Sequence, residues 1–199
     1  MTLKKICKKW ACVALTGASM LGATIATANA QQVFRNTITG DELKIMEVAP
    51  KEGRDTPAVK SFLEAGINPY VGVKGCLPRG EEAYLVACSG CHGHLGEGKV
   101  GPGLNDNYWT YPKNTTDKGL FETIFGGAQG MMGPHGSDLQ LDETLALMAW
   151  IRNLNTGEAK DADWLTDAQK ASFKPFNAQE WDGSGKAEAA KEQCTIPAN

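Results

Sequence analysis

Five residues in the middle of this 199-residue chain, Cys88-Ser89-Gly90-Cys91-His92, constrain its folding more than any other feature. Two thiols three positions apart can add covalently to the two vinyl groups of one haem. The histidine that follows is then held beneath the iron as its proximal ligand. The rival readings of a C-x-x-C pair are a redox dithiol and half of a zinc site. A redox dithiol belongs near a βαβ pattern, which the sequence lacks. A closed zinc site needs four ligands, and there is neither a second C-x-x-C nor a pair of histidines to complete one.

The N-terminus points to the compartment in which such an attachment is made. Lys4, Lys5, Lys8 and Lys9 precede an uncharged stretch of small and apolar residues, and Ala28-Asn29-Ala30 supplies a small-x-small cleavage pattern. Residues 1–30 therefore read as a secretory signal peptide cleaved before Gln31, which places the mature chain in the periplasm. The apolar run is short for a membrane span and no stop-transfer pattern follows it. Removing the leader takes four of the 20 basic residues and none of the 23 acidic ones, so the net charge falls from −3 to about −7. That sign argues against nucleic acid as a partner. It favours a protein with a basic docking patch, whose attraction would weaken with salt.

Of the six cysteines, Cys7 and Cys12 leave with the leader, and Cys88 and Cys91 are assigned to haem. Cys76 and Cys194 remain, an even pair in an oxidising compartment, as a disulfide or as two free thiols. The disulfide would pin the C-terminal tail beside the segment leading into the haem motif.

The mature length suits one domain. Residues 31–55 read as an extended arm with at most a short strand around Leu43–Val48. Thr56 and Pro57 open a helix that runs to about Ala65 and ends at Gly66. A second helix is expected over Glu81–Ala87, with Tyr84 and Leu85 facing inward, and 93–112 is a glycine- and proline-punctuated loop. Asp117 caps a short helix closed by Gly126-Gly127. In the strongest helix, Asp142–Leu154, residues Leu147, Trp150, Ile151 and Leu154 share one face. A short helix follows Thr166. The expected fold is all-α, one domain over 31–176 with long loops and an N-terminal arm, and a loose polar tail over 177–199.

This order of parts resembles the class I cytochromes c, in which a helix before the C-x-x-C-H site packs across a C-terminal helix and a loop between them brings a ligand to the iron's far side. The resemblance implies that a Gly-Pro after the motif offers a carbonyl to the proximal histidine. Gly101-Pro102 matches, which assigns the Pro102 carbonyl to His92. For the distal side, Met131 and Met132 lie in the glycine-rich run Gly130-Met131-Met132-Gly133-Pro134-His135. Met132 is favoured, because Met132-Gly133-Pro134 resembles the Met-x-Pro arrangement of many c-type cytochromes, and methionine raises the potential for electron transfer; His135 is the alternative and Met131 comes third. Met148 falls on a core helix. Tyr108, Trp109 and Tyr111 would shield the haem edge, with the Trp or Tyr donors able to bind a propionate and Trp109 the candidate named for cofactor binding, or would simply pack the core.

The runs Gly96-Glu97-Gly98-Lys99, Gly101-Pro102-Gly103-Leu104-Asn105-Asp106, Tyr108-Trp109-Thr110-Tyr111-Pro112 and Asp163-Trp164-Leu165-Thr166-Asp167 narrow the resemblance, from about Phe34 to Phe176, to the cytochrome c-L family. That family implies one covalent haem c and, in some members, a calcium ion. It also implies single-electron transfer from pyrroloquinoline quinone (PQQ)-dependent methanol dehydrogenase to a smaller cytochrome c or an oxidase. No calcium-loop pattern is present, so calcium is assigned no residues. A haem-based sensor or a peroxidase-like enzyme is the alternative, and either would need an open or labile distal position.

Overall fold

The computed structural model describes residues 32–196; the leader expected over 1–30 lies outside the described residues. The elements, in chain order, are α1 (Ile45–Val48), α2 (Pro57–Ala65), α3 (Leu77–Ala87), α4 (Ser89–His92), α5 (Asp117–Gly126), α6 (Leu141–Asn153), α7 (Asp167–Ser172), α8 (Ala178–Glu180) and α9 (Lys186–Ala189). Among the described residues the fold is all-helical, with one isolated antiparallel bridge between Arg35 and Glu42.

Local chemistry sets the helix ends. The Thr56 hydroxyl accepts from the Val59 N–H, Pro57 occupies the first turn, and Gly66 closes α2 in the left-handed region at φ 72°. Thr116, one residue before the expected Asp117, caps α5 by accepting from the Gly119 N–H. At Leu43–Val48 the expected strand is instead the single helical turn α1. Alternating apolar residues suit a strand, but no neighbouring strand is there to take up its backbone groups, and a helical turn satisfies some of them internally.

The frame is the crossing of α3 over α6. Helix α6 is buried along almost its whole length, from Leu141 to Arg152. Helix α3 begins four residues earlier than expected, with Pro78 in its first turn, and buries Leu77, Gly80, Glu81 and Tyr84. Those positions form one stripe at i, i+3, i+4 and i+7, and Leu85 falls off it and is exposed rather than inward. A Cβ on Gly80 would lie 2.1 Å from the Ala146 carbonyl oxygen, so the helices touch backbone to backbone at a point where only glycine fits.

Residues 177–196 are not loose. Trp181 and Ala189 are buried, and the Trp181 ring lies 5.0 Å from that of Trp150 on α6. Lys186 pairs with Glu81 of α3, and the Cys76–Cys194 disulfide joins the tail to the turn preceding α3 across 118 positions. Two apolar residues and one crosslink order a segment whose overall composition reads as solvated.

Asp142, at the start of α6, ties three elements together. It accepts hydrogen bonds from the Thr56 hydroxyl (2.6 Å), the Tyr70 hydroxyl (2.9 Å) and the Arg79 guanidinium. Burial alone would raise its pKa. The hydrogen bonds from Thr56, Arg79 and Tyr70 and the charge of Arg79 outweigh that and hold the carboxyl below its usual range. The stability it contributes is present above the unfolded pKa of about 4 and is lost as pH falls through the lower folded value. Asp142→Ala is expected to destabilise the fold by about 2–3 kcal/mol at neutral pH, since it strands three donors. In denaturant titrations the gap between variant and parent should narrow by pH 3; a gap independent of pH would refute the role of the charge.

Candidate functional site

The Cys88–His92 motif forms the end of α3 and the turn α4. Cys91 and His92 donate their N–H groups to the Cys88 carbonyl at 3.1 and 2.9 Å, and Gly93 donates to Ser89 at 3.0 Å. The following loop folds back on this turn. Gly98 donates to the His92 carbonyl at 2.7 Å and Gly101 to that of Cys91 at 2.9 Å, while the buried Tyr84 hydroxyl donates to Gly93 O at 2.8 Å.

These bonds fix the His92 ring. The side chain is buried, and Nδ1 lies 2.8 Å from the Pro102 carbonyl oxygen. A carbonyl can only accept, so Nδ1 carries the proton and Nε2 keeps its lone pair for a metal. Gly101 is required for this approach: a Cβ there would lie 2.7–3.1 Å from the imidazole atoms.

A cavity of about 610 Å³ opens beside the ring, within the usual size range for a small-molecule or cofactor site. Cys88, Cys91, His92 and Pro102 border it, together with Trp109, Met131, Met132 and His135 and apolar groups such as Leu104, Leu120, Ile124 and Ile151. Of the residues expected at the haem site from the sequence, all but Tyr108 border this one space; Tyr108 is 73% exposed and lies outside the lining. The two methionines differ: Met131 is 80% exposed, whereas Met132 is partly buried and packs against the core. His135 is half-buried, and its N–H donates to the Ile124 carbonyl at 3.1 Å. Gly127 makes the loop possible, because at φ 79° its missing side chain leaves room for the Met132–Pro134 backbone about 3 Å away. His94 is exposed and outside the cavity lining.

Sequence reasoning missed Asn114 and Thr123, which also border the cavity, and their hydrogen bond of 2.8 Å. Neither belongs to a motif; the turn before α5 brings them together. Trp109 borders the same cavity. Its Nε1–H is buried without a hydrogen-bond partner among the described residues, as are those of Trp150, Trp164 and Trp181.

Burial, reinforced by the neighbouring Cys91, pushes the Cys88 thiol up to about 12, opposite to the lowered value that makes a redox dithiol reactive. Among the described residues no three His, Cys, Asp or Glu side chains are grouped to hold a metal ion. Two thiols beside a cavity with an anchored imidazole fit covalent haem attachment, and in an all-helical frame the class is a class I cytochrome c. The family model described as cytochrome c oxidase, cbb3-type, subunit III matches residues 77–151, from α3 into α6. A cytochrome c-L of Methylorubrum extorquens is 53% identical over 190 residues, covering 89% of this chain and 94% of that protein. The crystal structure of cytochrome cL from Hyphomicrobium denitrificans superposes with a TM-score of 0.80 at 68% identity, covering 84% of this chain and all of the other. That from the marine methylotroph Methylophaga aminisulfidivorans gives 0.71 at 53% identity, covering 74% and 97%. The chain belongs to the cytochrome c-L family, and it is an electron carrier, not an enzyme.

Proposed function

We propose that this chain accepts single electrons from PQQ-dependent methanol dehydrogenase in the periplasm and passes them to a smaller c-type cytochrome or an oxidase. The observation that carries the reading is its identity with cytochromes c-L over nearly its whole length. Haem held in the cavity supplies a one-electron iron couple. In this reading Cys88 and Cys91 bind it covalently, and His92 presents Nε2 to the metal with Pro102 fixing the ring. Met132, or His135 as its alternative, would supply a second ligand to the haem, and Trp109 would donate to one of its carboxylates. Ligands from both sides keep small molecules out, which distinguishes a carrier from a sensor or a peroxidase-like enzyme. The reading includes removal of residues 1–30, a haem domain over 31–176 and a tail over 177–199; it assigns calcium no residues.

Docking is expected at the cavity mouth, where Val100 (66% exposed) and Met131 (80% exposed) offer apolar surface. The acidity of the mature chain would speed encounter with a basic patch and make the rate fall with ionic strength. Rapid mixing of the oxidised protein with methanol dehydrogenase and methanol, followed by haem absorbance, should show fast, saturable reduction that slows with added salt. No reduction, under conditions where another cytochrome c-L is reduced, would rule out this donor. Carbon monoxide binding to the reduced protein separates the alternatives: weak binding fits the carrier, and rapid tight binding would fit a sensor or an enzyme.

A further inference from the structure

Arg152 has no part in the site described so far, yet its surroundings point at it. Its side chain is almost fully buried on α6. Nε donates to Asp117 Oδ1 at 3.1 Å and Nη2 donates to the Asn114 carbonyl at 2.9 Å. The guanidinium lies over two indoles, 5.0 Å from the Trp109 ring centre and 4.4 Å from that of Trp164, and those rings meet edge to face at 6.2 Å. Both are within cation–π range. The remaining donors, Arg152 Nη1 and the two indole Nε1 atoms, are buried without partners among the described residues.

Stability alone is a poor reason for this arrangement, since a well-packed apolar side chain would avoid desolvating the ion. Its partners suggest another reason. Trp109 and Asn114 both border the haem cavity, and Arg152 grips one by its ring face and the other by its carbonyl. Trp164, outside the cavity, backs the guanidinium, and Asp117 fixes its orientation from the first turn of α5.

We propose that Arg152 is a positioning residue for the reduction potential: it holds the Trp109 indole N–H in line with a carboxylate of the bound haem. The inference rests on the reading of Trp109 as a haem contact. A donor aimed at that carboxylate offsets negative charge that would otherwise favour the oxidised state. Planarity and the fork of donors matter here, and lysine has neither, although it keeps the charge.

A double-mutant cycle on the haem-loaded protein tests this, with the potential read by redox titration. Trp109→Phe is expected to shift the equilibrium about tenfold towards the oxidised state, which is ~59 mV for a one-electron couple. Arg152→Lys should reproduce most of that shift in the parent and add nothing in the Trp109→Phe background. Shifts that add, or a Trp109→Phe shift with no Arg152→Lys shift, would overturn the role of Arg152. No shift from Trp109→Phe would instead overturn the reading of Trp109 on which the role depends. If Arg152→Lys does not accumulate with haem, Trp164→Leu serves in its place. It leaves the Arg152–Asp117 pair intact and should lower the potential only while Trp109 is present.

Discussion

Replacing Met132 with alanine is expected to lower the reduction potential by on the order of 0.2 V, a quarter of the ~0.8 V range over which axial ligands tune haem. A thioether favours the reduced metal more than an imidazole or water does, so its loss favours the oxidised form. The expectation follows from where the side chain sits. Met132 is partly buried against the core on the cavity wall, while Met131 beside it is 80% exposed. Met131→Ala should therefore leave the potential nearly unchanged. A spectroelectrochemical titration of Met132→Ala, Met131→Ala and His135→Ala discriminates the three side chains. If Met132→Ala keeps the parent potential and spectrum while His135→Ala changes both, the imidazole is the ligand. His135 is a credible competitor because it borders the same cavity three residues along.

The second large effect is expected at the disulfide. Cys76→Ser with Cys194→Ser opens a loop spanning 118 positions. In the chain-entropy account a closure of that length contributes about 4–5 kcal/mol, and measured losses on removing native disulfides run at about 2–5 kcal/mol. The loss should lie within that measured range, because Trp181 on Trp150 and Lys186 on Glu81 still hold the tail. Denaturant unfolding followed by tryptophan fluorescence checks it. An unchanged midpoint would mean that packing alone fixes the tail. A new early transition, seen in Trp181 fluorescence before global unfolding, would mean that the crosslink holds the tail as a separate unit.

The haem motif and α2 were readable in the sequence because their chemistry is local. Cys88, Cys91 and His92 need only their spacing, and Thr56, Pro57 and Gly66 act within one turn of the helix they bound. The approximate extent of α6 was readable as well, since a run of thirteen residues leaves a clear apolar period. The missed features depend on distant partners. Whether Leu43–Val48 became a strand depended on a neighbour that no local pattern can supply. Leu85 and Tyr84 are adjacent apolar residues, and only the position of α6 decides which of them is buried. Gly80 carries no local signal of its role, yet it is a point of backbone contact between α3 and α6.

The tail and the Arg152 cluster make the same point at longer range. Trp181 sits in a polar segment, and nothing within that segment shows that Trp150 lies above it. Arg152, on α6, is held through Nε and Nη2 by Asp117 and Asn114 from another part of the chain. The C-x-x-C-H spacing and the helical class were legible in the chain because spacing, capping and periodicity act over a few residues, and the family was legible as a resemblance carried by whole runs such as Tyr108-Trp109-Thr110-Tyr111-Pro112. Packing in three dimensions made Met132 the partly buried methionine of its loop, laid the tail on the core and set the Arg152 guanidinium over the Trp109 ring. Each of these depends on the distance between residues far apart in the chain, which packing sets and local sequence does not encode.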